Sequence, residues 1–179
     1  MVYGVKMSEK IFAFIDSQNL KRSIEKDIFL KKSGRRLYTG WKLNFKKFRI
    51  YLKDKFGVSK AYLFIGKVEG NELLYKYLED SGYEIIFKPT FEYLSEEGDK
   101  KIKGNVDAEL VLHKMIEFPN FDKAIIVAGD GDYHCLIEYL QTKEKLLKIL
   151  IPNKYSYSQL LKEFIENIEY VSDLESKLK

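Results

Sequence analysis

The sequence predicts an α/β protein with a mostly parallel central sheet, and two observations carry this prediction. Six apolar runs have the length of strands, and helical patterns of apolar residues lie between most of them. Strands that alternate with helices favour right-handed crossovers and a parallel sheet. The runs are also continuously apolar, as is typical of strands buried on both faces. We therefore expect a three-layer α/β/α sandwich.

The elements follow one another along the whole chain. The predicted strands are IFAFI (11–15), AYLFI (61–65), EIIF (84–87), AIIVA (124–128), LKILI (147–151) and a weaker IEYV (168–171). The predicted helices cover residues 44–56, 71–82, 106–118, 133–143 and 157–168. Asn44 is a candidate N-cap, and Pro119 follows the third helix. Residues 91–105 are expected to form a small hairpin or loop that turns near Glu97 and Gly98.

Composition limits the class of protein. The 179 residues, 45% hydrophobic and 32% charged, fit one domain, with a short extension over 1–10 and a tail over 173–179 flanking a domain over 11–172. No apolar run has the length of a membrane span, so we expect no membrane association. The single cysteine, Cys135, excludes an internal disulfide and a cysteine-based zinc cluster. A reducing cytoplasm is the expected location.

Basic residues are concentrated in one segment of the chain, although the net charge is only +4. Between Asp27 and Asp54 the sequence has no acidic residue and nine basic ones: Lys31, Lys32, Arg35, Arg36, Lys42, Lys46, Lys47, Arg49 and Lys53. A local excess of one sign favours a polyanionic partner such as a nucleic acid. The alternative is a solvated basic face whose acidic partners lie elsewhere in the fold.

Acidic residues follow two of the predicted strands. Asp16 follows the first strand, and Asp130 and Asp132 follow the fourth. Ligands of parallel α/β sheets bind at the carboxyl ends of the strands, so these three side chains are expected at one edge. Asp107 falls in the first turn of a predicted helix, where capping explains a carboxylate as well as function does.

Four carboxylates at one edge point to a metal site. Like charges close together repel one another unless a cation lies between them, and Mg²⁺ or Mn²⁺ prefers oxygen ligands. Gly129 and Gly131 would let the chain turn sharply around the acidic pair, although a turn alone also explains Asp-Gly-Asp. Other acidic schemes fit less well. A haloacid-dehalogenase site requires Asp-x-Asp after the first strand, and a Toprim site requires glutamate there. The residues after Asp130 do not continue as an EF-hand calcium loop. His113 and His134 are interpreted as structural.

Three motifs together resemble the NYN domain family, a branch of the PIN-like ribonuclease superfamily. They are FIDSQNL (14–20), KGNVDAELVL (103–112) and VAGDGDYHCLIEYL (127–140), and the intervening order is similar to that of one bacterial group in the family. The resemblance covers residues 10 to 172 and implies a PIN-like fold and metal-dependent endonucleolytic cleavage of RNA.

The resemblance also implies roles for individual residues. Asp16 corresponds to a direct metal ligand, Asn19 to an asparagine that arranges the loop and the phosphate, and Asp107 to the acid of the Lys-Gly-x-x-Asp motif. Asp130 and Asp132 correspond to the two acids of the Gly-Asp-x-Asp motif. This sequence departs from the family's pattern at two places. Many relatives have serine where Ala128 stands, and some have an acid near the position of His113.

Cations near these motifs are the candidates for holding RNA, which is expected to be single-stranded or structured. They are Lys21, Arg22, Arg35, Arg36 and Lys103. Tyr38 and Trp41 lie beside the Arg35–Arg36 pair and would suit base stacking, although Trp41 equally suits a structural role at the start of a helix.

Two other functions stay open at this point. The chain could be a non-catalytic RNA-binding or regulatory module that keeps the fold, or a metal-dependent phosphatase that acts on a small ester. The segment YSYSQLLKEFIENIEYV (155–171) could form a homodimer surface, although covering the sheet is its simpler role.

Overall fold

A six-stranded parallel sheet forms the centre of the molecule. The computed structural model describes the backbone of residues 9–88, 91–94, 100–103 and 107–179, and the side chains of residues 9–88 and 108–179. The strands are β1 (Ile11–Asp16), β2 (Ile28–Phe29), β3 (Arg36–Tyr38), β4 (Val58–Gly66), β5 (Glu84–Lys88), β6 (Phe91–Leu94), β7 (Lys100–Lys103), β8 (Lys123–Val127), β9 (Leu146–Ile151) and β10 (Ile168–Tyr170). The α-helices are α1 (Ser17–Glu25), α2 (Phe45–Phe56), α3 (Glu72–Asp80), α4 (Asp107–Glu117), α5 (His134–Thr142) and α6 (Glu175–Leu178). Four 3-10 helices cover Phe118–Asn120, Gly131–Tyr133, Gln159–Asn167 and Val171–Leu174.

The sheet confirms the predicted fold class. Its strand order is β10–β9–β8–β1–β4–β5, and all of its pairings are parallel. The first strand of the chain therefore lies in the middle, between β4 and β8. The chain builds outward from β1 on one side with β4 and β5, and then crosses over to build the other side with β8, β9 and β10. This reversal creates a topological switch point between β1 and β8, where ligands of such sheets bind.

Successive residues of the central strands point into two separate cores. On one face Ala13 and Ile15 of β1 pack with residues of α1 and α2, such as Leu20 and Phe48. On the other face Phe14 packs with residues of α4, α5 and the 3-10 helix Gln159–Asn167, among them Leu110, Ile137, Leu161 and Phe164. The sheet is thus covered on both faces, which explains the continuously apolar strands. Residues of the 155–171 segment cover the sheet, as its simpler interpretation predicted.

The caps of α2 confirm the predicted ends of this helix. The Asn44 side chain accepts a hydrogen bond from the backbone N–H of Lys47 at 3.0 Å, which satisfies a donor of the first turn. Gly57 ends the helix in the left-handed region with φ of 70°, which costs glycine little, and its N–H bonds back to Lys53 at 2.8 Å.

Three segments differ from the prediction. Helix α1 was not predicted, because Leu20 and Ile24 are the only buried apolar residues among its nine. The segment predicted as a helix over 157–168 contains 3-10 helix over Gln159–Asn167, and non-helical dihedral angles at Phe164 divide it by a kink. Residues 173–179 are not a tail, because Leu178 is 1% exposed in the core and its carbonyl accepts from Asn44 N–H at 2.9 Å.

Two antiparallel hairpins extend from the sheet. Strands β2 and β3 form one within the basic segment. Strands β6 and β7 form the other, with Leu94 opposite Lys100, which confirms a hairpin within 91–105; the predicted turn at Glu97 and Gly98 lies outside the described residues. In the part of the chain that is described, no helix has the length and apolar character needed to span a membrane.

A lysine lies inside the core on the α4 side of the sheet. Lys114 is 0% exposed, and its Nζ has no hydrogen-bond partner among the described residues. Nζ lies 5.4 Å from the centre of the Phe118 ring and 5.7 Å from that of Tyr139. Burial, assisted by the neighbouring charge of Lys145, lowers the pKa of Lys114 from 10.5 to about 7. The fold therefore holds an ionisable group that burial discourages from being charged.

Candidate active site

Asp16 lies at the carboxyl end of the central strand in a fixed orientation. It is the last residue of β1 and the N-cap of α1, and it is 5% exposed. Its Oδ1 accepts a hydrogen bond from the backbone N–H of Asn19 at 2.9 Å, and its Oδ2 accepts one from the hydroxyl of Tyr133 at 3.1 Å. The backbone N–H of Asn19 and the hydroxyl of Tyr133 thus fix the two carboxylate oxygens of Asp16 at the switch point.

Asn19 connects this helix to the loop that follows β8. Its side-chain oxygen accepts a hydrogen bond from the backbone N–H of Gly129 at 2.8 Å, across 110 residues of sequence. Gly129 in turn accepts at its carbonyl from Ser158 N–H at 2.9 Å. The loop is therefore anchored on both sides, by α1 and by the segment that precedes the 3-10 helix Gln159–Asn167.

The acidic pair lies on a tight 3-10 turn. Asp130 caps this turn through Oδ1, which accepts from the N–H of Asp132 at 3.2 Å. Gly131 between them is closely approached: a Cβ at this position would lie 2.5 Å from Ser158 Oγ and 3.1 Å from Leu160 Cδ1. A side chain at this position would therefore require Ser158 Oγ to move.

The structure brings three of the predicted acids to the same edge. Asp16 ends β1, and Asp130 and Asp132 follow β8, the neighbouring parallel strand in which Val127 pairs with Ile15. Asp107 begins α4, which packs against β1 and against the turn Gly131–Tyr133. The side chain of Asp107 lies outside the described residues.

The described carboxylates do not by themselves form a metal-binding group. Among the side chains of 9–88 and 108–179, no three His, Cys, Asp or Glu residues form a group that could hold a metal ion. Asp130 caps its own turn, and both Asp130 and Asp132 are exposed, whereas Asp16 is buried.

The donor chemistry nevertheless suits a hard divalent cation. All the candidate ligands are carboxylates, which Mg²⁺ and Mn²⁺ prefer. Within the described residues the Asp132 carboxylate makes no hydrogen bond or ion pair, and Asp130 uses one oxygen in its cap. These oxygens remain accessible to a cation from solvent.

The predicted RNA-binding cations fall into different environments. Lys21 and Arg22 are exposed on α1, and Arg35 is exposed in the β2–β3 hairpin. Arg36 instead pairs with Asp27 at 3.2 Å, and the same carboxyl accepts from Gly40 N–H at 2.8 Å, so Arg36 helps to close the hairpin. The Gly40 and Arg36 bonds lower the pKa of Asp27. The side chain of Lys103 lies outside the described residues.

The two aromatic residues of the basic segment that were considered for base stacking are buried or half-buried. Trp41 is 3% exposed and packs in the core, which rules out base stacking on its ring. Tyr38 is half-buried, and its hydroxyl donates to the carbonyl of Ile24 at 2.8 Å. Arg49 is also structural, because it donates to the carbonyls of Gly82, Val58 and Ser59.

The two histidines pack against aromatic rings, although the buried Nε2 of His113 has no hydrogen-bond partner among the described residues. His113 lies edge-on to the rings of Tyr62 and Phe64, with centroids 4.7 and 5.8 Å away. His134 pairs with Glu163 and packs against the ring of Phe164.

Sequence reasoning missed Tyr133 as a residue of this site. Its ring is 0% exposed, and its hydroxyl reaches Asp16 across 117 residues of sequence. The one local signal is that it directly follows Asp132. Ser17 is a second missed residue: its hydroxyl donates to the carbonyl of Phe64 at 2.7 Å and ties the start of α1 to β4.

Comparison with protein families identifies the chain. The model of the NYN domain matches residues 10–170, which is most of the sequence. The chain belongs to the NYN domain family. This NYN domain has the sheet and the switch-point acids described above, and membership implies the PIN-like nuclease superfamily, with RNA as the expected class of substrate. The resemblance noted from the three motifs is confirmed.

A solved structure shares the fold of this NYN domain. It is the crystal structure of a protein of unknown function from Vibrio parahaemolyticus, with a TM-score of 0.67 and 22% sequence identity. The alignment covers 92% of this chain and 94% of the Vibrio chain, so the two agree over nearly their whole lengths. Comparison with curated proteins finds no match.

Proposed function

We propose that this NYN domain is a metal-dependent endoribonuclease that hydrolyses RNA phosphodiester bonds. The observation that carries the proposal is the fixed position of Asp16 at the switch point, beside the loop that presents Asp130 and Asp132. A pure binding protein has no need to concentrate negative charge where phosphates should lie, because like charges repel. The family adds a nuclease-type hydrolase as the expected activity.

Each side chain has a role in the proposed site. Asp16, Asp130 and Asp132, with Asp107 from the start of α4, would hold Mg²⁺ or Mn²⁺. When bound, such a cation supplies Lewis-acid stabilisation of the phosphate and lowers the pKa of a water molecule. Asn19 keeps the loop after β8 against α1 through its bond to Gly129 N–H, and Tyr133 orients Asp16. Lys21, Arg22, Arg35 and Lys103 are the proposed phosphate contacts, because their charges suit the RNA backbone.

The test is incubation of the purified protein with labelled single-stranded RNA in Mg²⁺, Mn²⁺ or EDTA. We expect cleavage that needs the metal and disappears in the Asp16→Asn/Asp130→Asn double variant. Intact RNA in every lane, with binding retained, would show a non-catalytic RNA-binding module instead. A chromogenic phosphate ester tested in parallel distinguishes a phosphatase, which would hydrolyse the small ester and spare the polymer.

Tyr133→Phe should separate positioning from folding. The variant keeps the buried ring and loses the hydroxyl that donates to Asp16. We expect RNA cleavage to fall about 10-fold, as is typical when an outer hydrogen bond to a metal-site residue is lost. The free energy of unfolding should drop by about 1 kcal/mol.

The matched control for this variant is Tyr83→Phe. Tyr83 is 4% exposed, and its hydroxyl donates to the carbonyl of Phe45 at 2.8 Å, away from the acidic edge. The free energy of unfolding of Tyr83→Phe should drop by a similar amount, and the variant should cleave RNA as fast as the wild type does. Equal cleavage by the two variants in single-turnover assays would remove Tyr133 from the positioning of Asp16.

A further inference from the structure

Two adjoining depressions lead away from the acidic loop along one side of α1. The first is bordered by the loop from Gly129 to Asp132, by Asn19, and by the chain from Ser156 to Ser158. The second is bordered by Arg22, Lys26 and Ile28. Ser23 and Ser156 line both depressions, so the two adjoin and are together called the groove here.

The charge along this groove changes sign. Its acidic end contains Asp130 and Asp132 and no lysine or arginine among the described lining residues. Its other end contains Arg22 and Lys26 together with a single carboxylate, Glu25, which leaves a net charge of +1. A phosphodiester chain with one phosphate at the acidic end could therefore place a neighbouring phosphate against the cations.

The two cations at the far end have no partners among the residues that the structure describes. Neither Arg22 nor Lys26 makes a side-chain hydrogen bond or an ion pair with another described residue, whereas Arg36 and Arg49 are engaged in the fold. Unpaired cations attract phosphate without first breaking an internal contact. Lys26 follows the last residue of α1, so it extends the basic end beyond the helix.

An exposed aromatic ring stands next to this groove. Tyr155 directly precedes Ser156 and is 47% exposed. Among the described residues its ring lies near the ring of Tyr38, with centroids 6.4 Å apart, and near Lys154, whose Nζ is 5.5 Å from the ring centre. An exposed ring beside a phosphate path suits an unstacked base, because bases of single-stranded RNA stack on aromatic side chains. A duplex would keep its bases stacked on one another.

We infer that a single-stranded flank of the RNA leaves the acidic loop along α1, with a phosphate at Arg22 and Lys26 and a base on Tyr155. The inference rests on the proposed function for the identity of the ligand. It assigns a direction to the RNA path and adds Lys26 and Tyr155 to the contacts.

The test measures binding without cleavage, by fluorescence anisotropy of labelled single-stranded RNA in EDTA over a range of salt concentrations. For Arg22→Gln/Lys26→Gln we expect affinity about 10-fold lower, and a plot of log K against log salt that is less steep by about 1. The matched control is Lys31→Gln/Lys32→Gln, which removes the same charge from exposed positions in the hairpin. It should bind nearly as the wild type does.

Substrate length gives an independent readout. RNA shortened from one end should lose affinity for the wild type, shortening from the other end should matter less, and the difference should disappear in Arg22→Gln/Lys26→Gln. Tyr155→Ala should weaken binding of single-stranded RNA and leave a duplex unaffected.

The possible results separate the two proposals. If RNA is cleaved and the two double variants bind it equally well, the proposed RNA path along the groove is wrong and the proposed nuclease activity stands. If Arg22→Gln/Lys26→Gln binds RNA more weakly and no metal supports cleavage, the RNA path stands and the proposed nuclease activity is wrong. Loss of affinity in the hairpin variant alone would place the RNA path over the hairpin and refute the inference.

Discussion

Asp16→Asn is expected to lower RNA cleavage by at least about 100-fold while the protein stays folded, the usual scale for loss of a charged group at a reacting centre. Asparagine keeps an oxygen that can accept from Asn19 N–H, so the cap of α1 survives. The change removes the negative charge that a cation needs at the end of β1. Single-turnover cleavage and thermal unfolding, measured on the same preparation, separate these effects.

Asp122→Asn is the matched control for this prediction. Asp122 precedes β8 at the opposite edge of the sheet, where its Oδ2 accepts from Lys10 N–H at 2.8 Å. The control loses one carboxylate with a comparable backbone bond and should cleave RNA at the wild-type rate. If Asp16→Asn and Asp122→Asn cleave equally well, Asp16 is not part of a catalytic centre.

Lys114→Met is expected to stabilise the protein by about 2 kcal/mol at pH 6. Each unit of pKa corresponds to about 1.4 kcal/mol, and the pKa of Lys114 falls from 10.5 to about 7 on folding. We expect less than the full shift because the surrounding rings offset part of the cost of the charge. Methionine fills a similar volume in this aromatic surrounding and carries no charge.

The pH dependence of this gain follows from the same shift. Between pH 7 and 10.5 the unfolded chain holds a proton on Lys114 and the folded chain does not, so the wild type gains stability as pH rises through this window. Below pH 7 Lys114 is charged in both the folded and the unfolded protein, so burying its charge lowers the free energy of unfolding by the full amount. The advantage of Lys114→Met should therefore be largest below pH 7 and shrink toward pH 10.

Urea unfolding at pH 6 and pH 9 checks this prediction. Lys143→Met is the control, because Lys143 is exposed and lies 5.6 Å from the centre of the same Tyr139 ring. It should show neither the gain nor its pH dependence. A destabilised Lys114→Met protein, or a gain that is equal at the two pH values, would contradict the lowered pKa of Lys114.

The sheet could be predicted from sequence because a strand that is buried on both faces is apolar at every position, and this pattern is local. Strands such as AIIVA are apolar at every position, and the alternation with helices implies parallel pairing. Because Asp16 directly follows the first strand, a parallel sheet places it at the carboxyl edge, where the candidate site lies. None of these steps needs knowledge of contacts between distant residues.

The contacts within the site could not be predicted because they depend on which strands are neighbours. Tyr133 reaches Asp16 only since β8 pairs with β1, and no pattern in the residues around Tyr133 encodes that pairing. Trp41 and Tyr38 looked available for bases, yet their burial is set by how the β2–β3 hairpin folds onto α1. Lys114 sits among residues of a helical pattern in which a lysine normally marks the solvent face.

The central position of β1 has a consequence for a chain still emerging from the ribosome. Asp16 and Asn19 are synthesised early, but their partners Tyr133 and Gly129 follow β8, which begins at Lys123. Until that strand arrives, one edge of β1 stays open and exposed to association with other chains. The RNA cleavage proposed above would thus require β8 to have been synthesised and docked beside β1. Two separately expressed halves, divided before β8, should be inactive alone and regain activity on mixing only if β8 docks beside β1.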